Sequence, residues 1–214
     1  MILRPASDRS LLVSFGDGIS LEAHREVVRL TRRLEGVRGI LNLHPAFASV
    51  LIDFDPRLRN RHEIEAEVRQ SMDGAADGVA MERRTIEIPA RFGGDFGPDL
   101  EDVARHTGFA PSEVIERFCA AEFEVYFVGF ATCFPYLGGL PPELATPRLA
   151  APRKQVPAGS IAIAGTQAGL YPVASPGGWR LIGRTPLRLF DPHGEPPPLL
   201  RMGDRVVFVP EERS

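Results

Sequence analysis

Three arginines in the C-terminal half carry the clearest chemical signal in the chain. Arg148 and Arg153 bracket Leu149-Ala150-Ala151-Pro152, and Arg184 follows Gly183. A guanidinium presents a planar, two-pronged set of donors that matches a carboxylate. Gln167, Tyr171, Ser175 and Trp179 fall between them in sequence. Such a set can line a pocket for a small anionic or amide-containing ligand, with arginine for the charge and aromatic rings as walls. The same residues also admit a plainer role. Arg148 and Arg153 can pin loops through backbone carbonyls, and Tyr171 and Trp179 can belong to a core.

Other reactive types are less organised. The five histidines are His24, His44, His62, His106 and His193. No two stand at metal-ligand spacing and none pairs in sequence with a cysteine, so no metal site is expected. Asp53 and Asp55 flank Phe54, and strand alternation puts both on one face like a carboxylate pair. A solvated strand end before Pro56 is the simpler reading. Cys133 lies in an aromatic-rich loop and would need a nearby base to become a nucleophile. A small buried filler is the simpler reading. No glycine-rich loop ends in Gly-Lys-Ser or Gly-Lys-Thr, so no phosphate-binding loop for ATP is expected. Lys154 is the single lysine among 25 basic residues and sits in Arg-Lys-Gln, a poor attachment context for a tethered cofactor. No cofactor is therefore expected on this chain alone, and ATP, where used, comes from another chain.

These candidates sit in an unusual run of about 65 residues that begins at Phe127. It alternates bend-forming groups (Gly138-Gly139, Pro141-Pro142, Pro157-Ala158-Gly159, Pro176-Gly177-Gly178) with short β-branched stretches. A backbone path specified turn by turn suits a shaped binding surface. Strands are expected at 124–130, 160–164, 170–173, 180–182, 187–190 and 205–209, with nothing helical after the first of these. That spacing implies an all-β barrel or sandwich. Two helices lead into it. One opens at Gly97-Pro98-Asp99, with Pro98 at its first position and Gly108 past its end. The other covers 112–120.

The N-terminal part reads differently. Strands at 11–15, 40–43 and 48–54 alternate with helices at 21–34 and 64–72. Ser20 can cap the first helix and Gly36 can end it. With a further strand at 85–89, the order resembles a small split α+β sandwich. Residues 73–80 (DGAADGVA) suit a linker. Two domains are expected, 1–80 and 81–214.

The totals agree with a soluble globular protein. The chain has 214 residues, 43% hydrophobic residues and a formal net charge of −3. Nucleic acid favours a basic face, so it is not an expected partner. No apolar run approaches a membrane span, no segment reads as a signal peptide, and the two cysteines suggest no disulfide framework. The expected location is the cytoplasm.

A group of matched glycines and prolines resembles a known family. It comprises Phe134-Pro135-Tyr136-Leu137-Gly138-Gly139-Leu140, Thr146-Pro147-Arg148, Pro152-Arg153, Val156-Pro157-Ala158-Gly159-Ser160, Tyr171-Pro172, Ser175-Pro176-Gly177-Gly178-Trp179 and Ile182-Gly183-Arg184-Thr185-Pro186. Gly93-Gly94-Asp95-Phe96-Gly97-Pro98-Asp99-Leu100 and the segment from Asp8 to Asp17 extend it over nearly the whole chain. The resemblance is to the family of the bacterial 5-oxoprolinase B subunit (PxpB), which is the KipI or allophanate hydrolase subunit 1 family. It implies a small α+β domain followed by a cyclophilin-like β-barrel. It implies pairing with a KipA-like C subunit. Together with a separate A subunit, the complex would open 5-oxo-L-proline to L-glutamate in an ATP-dependent reaction, with no activity of this chain alone. On this view Arg148, Arg153 and Arg184 orient a carboxylate or a phosphorylated intermediate. Gln167, Ser175 and Thr185 meet the amide, and Tyr171 and Trp179 wall the pocket. The family also implies two alternatives, inhibition of a sensor histidine kinase and one half of a biotin-dependent urea-type carboxyltransferase. The chain departs from the family pattern at Thr132-Cys133 in place of Pro-Gly, at Phe118 in place of a histidine, at Phe123 in place of a tyrosine, at Leu149 in place of an arginine and at Ala168 in place of a threonine.

Overall fold

The computed structural model describes residues 1–18, 20–73 and 84–211. The chain divides into two compact units, Met1–Glu82 and Arg83–Ser214. The proposed linker at 73–80 lies, beyond residue 73, outside the described residues.

The first unit is a four-stranded antiparallel sheet with two helices. Its strands are β1 (Ile2–Pro5), β2 (Ser10–Ser14), β3 (Ile40–Pro45) and β4 (Ser49–Phe54), in the order β1-β2-β4-β3. Helix α1 spans Leu21–Leu34 and begins where expected, because the Ser20 side chain accepts the Ala23 amide at 3.0 Å. Its buried face carries Val27, Leu30 and Leu34. Helix α2 (Arg61–Asp73) adds Ile64 and Val68 to the same core. Two expectations need correction here. β1 is an additional strand, short, exposed and ending in proline, so it lacks the alternation that marks a half-buried strand. The strand expected at 85–89 does not join this sheet.

That strand, β5 (Thr85–Phe92), belongs to the second unit. It pairs in parallel with β13 (Arg205–Pro210) and antiparallel with β12 (Arg180–Arg184). Together with β6 (Phe123–Gly129), β7 (Phe134–Gly138), β9 (Ser160–Ala164) and β10 (Gln167–Leu170) it closes a seven-stranded barrel, ordered β10-β7-β6-β13-β5-β12-β9. Alternate side chains of every strand fill one core, including Ile88, Val125, Leu137, Ile161, Leu170, Ile182 and Phe208. Helices α3 (Leu100–Thr107) and α4 (Pro111–Ala120) contribute Leu100, Val103, Val114 and Phe118 to that core.

Several boundaries differ from expectation for identifiable reasons. Helix α3 starts at Leu100 with Asp99 at its cap position, so Pro98 precedes the cap instead of opening the helix. A 3-10 turn at Pro142–Leu144 interrupts the region expected to lack helix. Three strands were missed. β7 contains Pro135, β8 (Arg153–Val156) has four residues, and β11 (Ser175–Gly177) has Pro176 at its centre. The strand expected at 170–173 ends at Leu170, and 187–190 shows just an isolated bridge between Phe190 and Pro198.

Candidate functional site

The outward face of the barrel wall carries the aromatic residues. Inward Ala168 and Leu170 alternate with Gly169, and Gly169 pairs with Tyr136 of β7. A Cβ on Gly169 would lie 2.5 Å from Phe134 Cζ and 3.1 Å from Trp179 Cζ3. The missing side chain is therefore what lets two large rings lie against the wall. Phe134 meets Tyr136 and Tyr171 edge-on at 5.0 Å and Trp179 at 5.4 Å. Phe127 stacks on Tyr136 at 4.4 Å. A small ribbon of β8 and β11 adds Val156 to this second core. Gly177 of the ribbon has no room for a Cβ, which would stand 2.2 Å from the Tyr171 hydroxyl.

Charge is placed around this cluster. The exposed Arg148 guanidinium lies 5.7 Å from the Trp179 ring. Arg153, at the start of β8, is anchored: its Nη2 donates to Asp99 Oδ1 at 2.7 Å. The other carboxylate oxygen, Oδ2, accepts the Leu181 backbone amide of β12 at 2.7 Å. Asp99 is nearly buried at 4% exposure, so the ion pair is sheltered from solvent on the carboxylate side. Arg184 lies opposite Ser160 across β12 and β9 and opposite Arg91 across β12 and β5. Arg91 and Arg184 both approach the Phe96 ring, at 5.5 and 5.8 Å.

The eight candidate residues thus do not surround one point. Ser160 and Ala164 stand four residues apart on β9, a rise of roughly 13 Å. Arg184 is opposite Ser160, and Gln167 is opposite Ala164. Their backbones thus lie toward opposite ends of β9. Tyr171 and Trp179 lie in the cluster itself and are nearly buried, as a core reading requires. Ser175 pairs with Val156 on the ribbon. Thr185 is buried and its hydroxyl accepts the Leu187 amide at 3.2 Å, a turn-stabilising contact. A separate cleft of about 690 Å³, lined by residues such as Arg91, Phe96, Glu101, Ser112 and Glu211, includes none of the eight.

Burial pushes the Tyr171 phenol up to about 12, against the opposing backbone hydrogen bond with Trp179 and the nearby arginine charges. Burial also raises Tyr136, with Arg148 acting in the other direction. The Cys133 thiol is raised by burial, away from the thiolate a nucleophile needs. Cys133 and Phe130 instead share a left-handed backbone, at φ 58° and 62°. This is the loop where the family pattern has Pro-Gly, and it leaves Phe130 70% exposed. Phe118 is fully buried within the barrel core, so its position cannot present a base to a ligand on the outer face. Asp53 and Asp55 have separate partners: Asp53 accepts Ser10 Oγ at 2.6 Å and lies 3.0 Å from His44, whereas Asp55 pairs with Arg57. Lys154 is exposed on β8. Among the described residues no cluster of three His, Cys, Asp or Glu could hold a metal ion, and no helix is long and apolar enough to cross a membrane.

Sequence reasoning missed Asp99, Phe134 and Tyr136. Asp99 stands at the opening of a helix, and nothing near it in sequence marks its pairing with a residue 54 positions away.

Comparison with known proteins assigns the class. The family described as carboxyltransferase domain, subdomain C and D, matches residues 1–200. The 5-oxoprolinase B subunit of Bacillus subtilis is 39% identical over 214 aligned positions, covering 94% of this chain and 89% of the relative. That of Escherichia coli O157:H7 is 41% identical and covers 92% and 89%. The crystal structure of TTHA0988 superposes with a TM-score of 0.85 at 36% identity. It covers 96% of this chain, which spans 40% of that longer one. The chain belongs to the carboxyltransferase subdomain C and D family, and within it to the group of 5-oxoprolinase B subunits.

Proposed function

We propose that this chain is the B subunit of an ATP-dependent 5-oxoprolinase complex in the cytoplasm, acting with an A subunit and with a KipA-like C subunit. The observation that carries this reading is identity of about 40% with curated B subunits along nearly the whole chain. The barrel is read as cyclophilin-like, with its outer face as the working surface. The complex opens the lactam of 5-oxo-L-proline. The ring C–N bond breaks, water supplies the new carboxyl oxygen, and the nitrogen leaves as the amine of L-glutamate. ATP is used by the complex, and no step through it is assigned to residues of this chain.

Within this reading the substrate carboxylate belongs at the Arg153 and Arg184 end, beside the wall formed by Tyr171 and Trp179. Ser175 on the ribbon is the hydroxyl candidate for the amide. Gln167 lies toward the other end of β9 from Arg184, and Thr185 shapes its turn. Arg148 borders the aromatic rim. The chain binds and orients, and its partners supply the rest of the site. In a co-expressed complex, Arg153→Ala and Arg184→Ala should each lower kcat/KM for 5-oxo-L-proline at least tenfold while all subunits still co-purify, since each removes a charge-assisted contact. Full activity in both variants with assembly intact would mean that the barrel merely supports a partner's site.

A further inference from the structure

Asp99 is nearly buried, yet it joins three separate pieces of the barrel unit. It stands at the N-cap position of α3, its Oδ2 accepts the amide of Leu181 on β12, and its Oδ1 accepts Arg153 Nη2 at the start of β8. Strand β8 has four residues and pairs with β11 alone, which has three. A two-stranded ribbon of that length is marginal by itself. Arg153 is also a long side chain with many rotamers, which a ligand would otherwise have to freeze. The bond to a buried carboxylate, fixed from its other oxygen by the barrel wall, removes that freedom before any ligand arrives.

We propose that Asp99 is a positioning residue that sets the preference for a carboxylate-bearing substrate by holding Arg153. This rests on the reading of the chain as a 5-oxoprolinase B subunit. A purely structural Asp99 would change the amount of folded complex. A positioning Asp99 changes how the complex distinguishes two ligands that differ by the carboxylate.

The test uses the assembled complex, with KM and kcat measured for 5-oxo-L-proline and an inhibition constant for 2-pyrrolidinone, the same lactam without the carboxylate. Asp99→Asn keeps the shape and an acceptor for the Leu181 amide but loses the charge. It should raise KM for 5-oxo-L-proline about tenfold, the scale of one lost charge-assisted bond, with a smaller effect on kcat and none on 2-pyrrolidinone. Arg153→Ala should do the same, and the double variant should add nothing. Asp99→Glu, which keeps the charge, should recover part of the discrimination and serves if the Asn variant fails to fold. Unchanged discrimination in Asp99→Asn, or additive effects in the double variant, overturns the proposal. So does unchanged discrimination in Arg153→Ala. An inactive wild-type complex would overturn the B-subunit reading itself.

Discussion

Phe118 occupies a place where the resembling family commonly carries histidine, and its surroundings explain why an apolar ring works there. Its ring lies 4.8 Å from that of Phe123, 4.9 Å from that of Phe208 and 6.1 Å from that of Phe92. The position serves barrel packing, so the substitution removes no acid or base from the outer face. Phe118→Ala should lower the stability of the barrel unit by about 3–5 kcal/mol through the cavity it leaves. Urea unfolding followed by Trp179 fluorescence measures this, and a loss under about 1 kcal/mol would contradict the packing role. Arg153 and Arg184 stand out in the sequence as candidates because arginine is a specific chemical type. Asp99 was not, since nothing near it in sequence announces a partner on β8 or β12. Gln167 was grouped with Arg184 because both are polar and lie among the same turns. Strand register alone separates them, and register is a long-range property.

Helices with local punctuation were readable and short strands were not. Helix α1 runs Leu21–Leu34, capped by Ser20 and followed by Gly36 at φ 76°, all of which the sequence signals. β7, β8 and β11 exist because neighbouring strands pair with them; proline and glycine mask β7 and β11, and β8 has just four residues. Helix α1 also contains a titratable group with consequences. His24 is fully buried, and burial lowers its pKa from 6.5 to about 4. The unfolded chain thus takes up this proton more readily than the folded one, so folding is favoured above pH 6.5. That advantage is lost as pH falls through about 4, by up to about 3 kcal/mol. Amide-exchange protection factors in α1, corrected for the intrinsic exchange rate at each pH, should fall as pH drops over this interval, and His24→Leu should flatten the response. A wild-type profile flat between pH 6.5 and 4 would contradict it.

At the scale of the whole molecule, the boundary between units at residues 82 and 83 falls close to the small-residue stretch at 73–80 that the sequence suggests as a linker. The second unit includes β5 from the segment before α3, as the expected boundary at residues 80 and 81 has it, although the strand order alone groups it with the first sheet. Parallel pairing of β5 with β13 joins residues about 120 positions apart, as in Thr85 with Arg205, and no local pattern encodes that choice. The outer face then gathers aromatic rings and anchored arginines without a titratable group suited to general base work. The most direct measurement is L-glutamate formation from 5-oxo-L-proline by this chain combined with its two partner subunits, with ATP present or absent. The account predicts ATP-dependent glutamate when all three are present and none when this chain is omitted. Equal glutamate with and without this chain, or none from a properly assembled three-subunit complex, would contradict it.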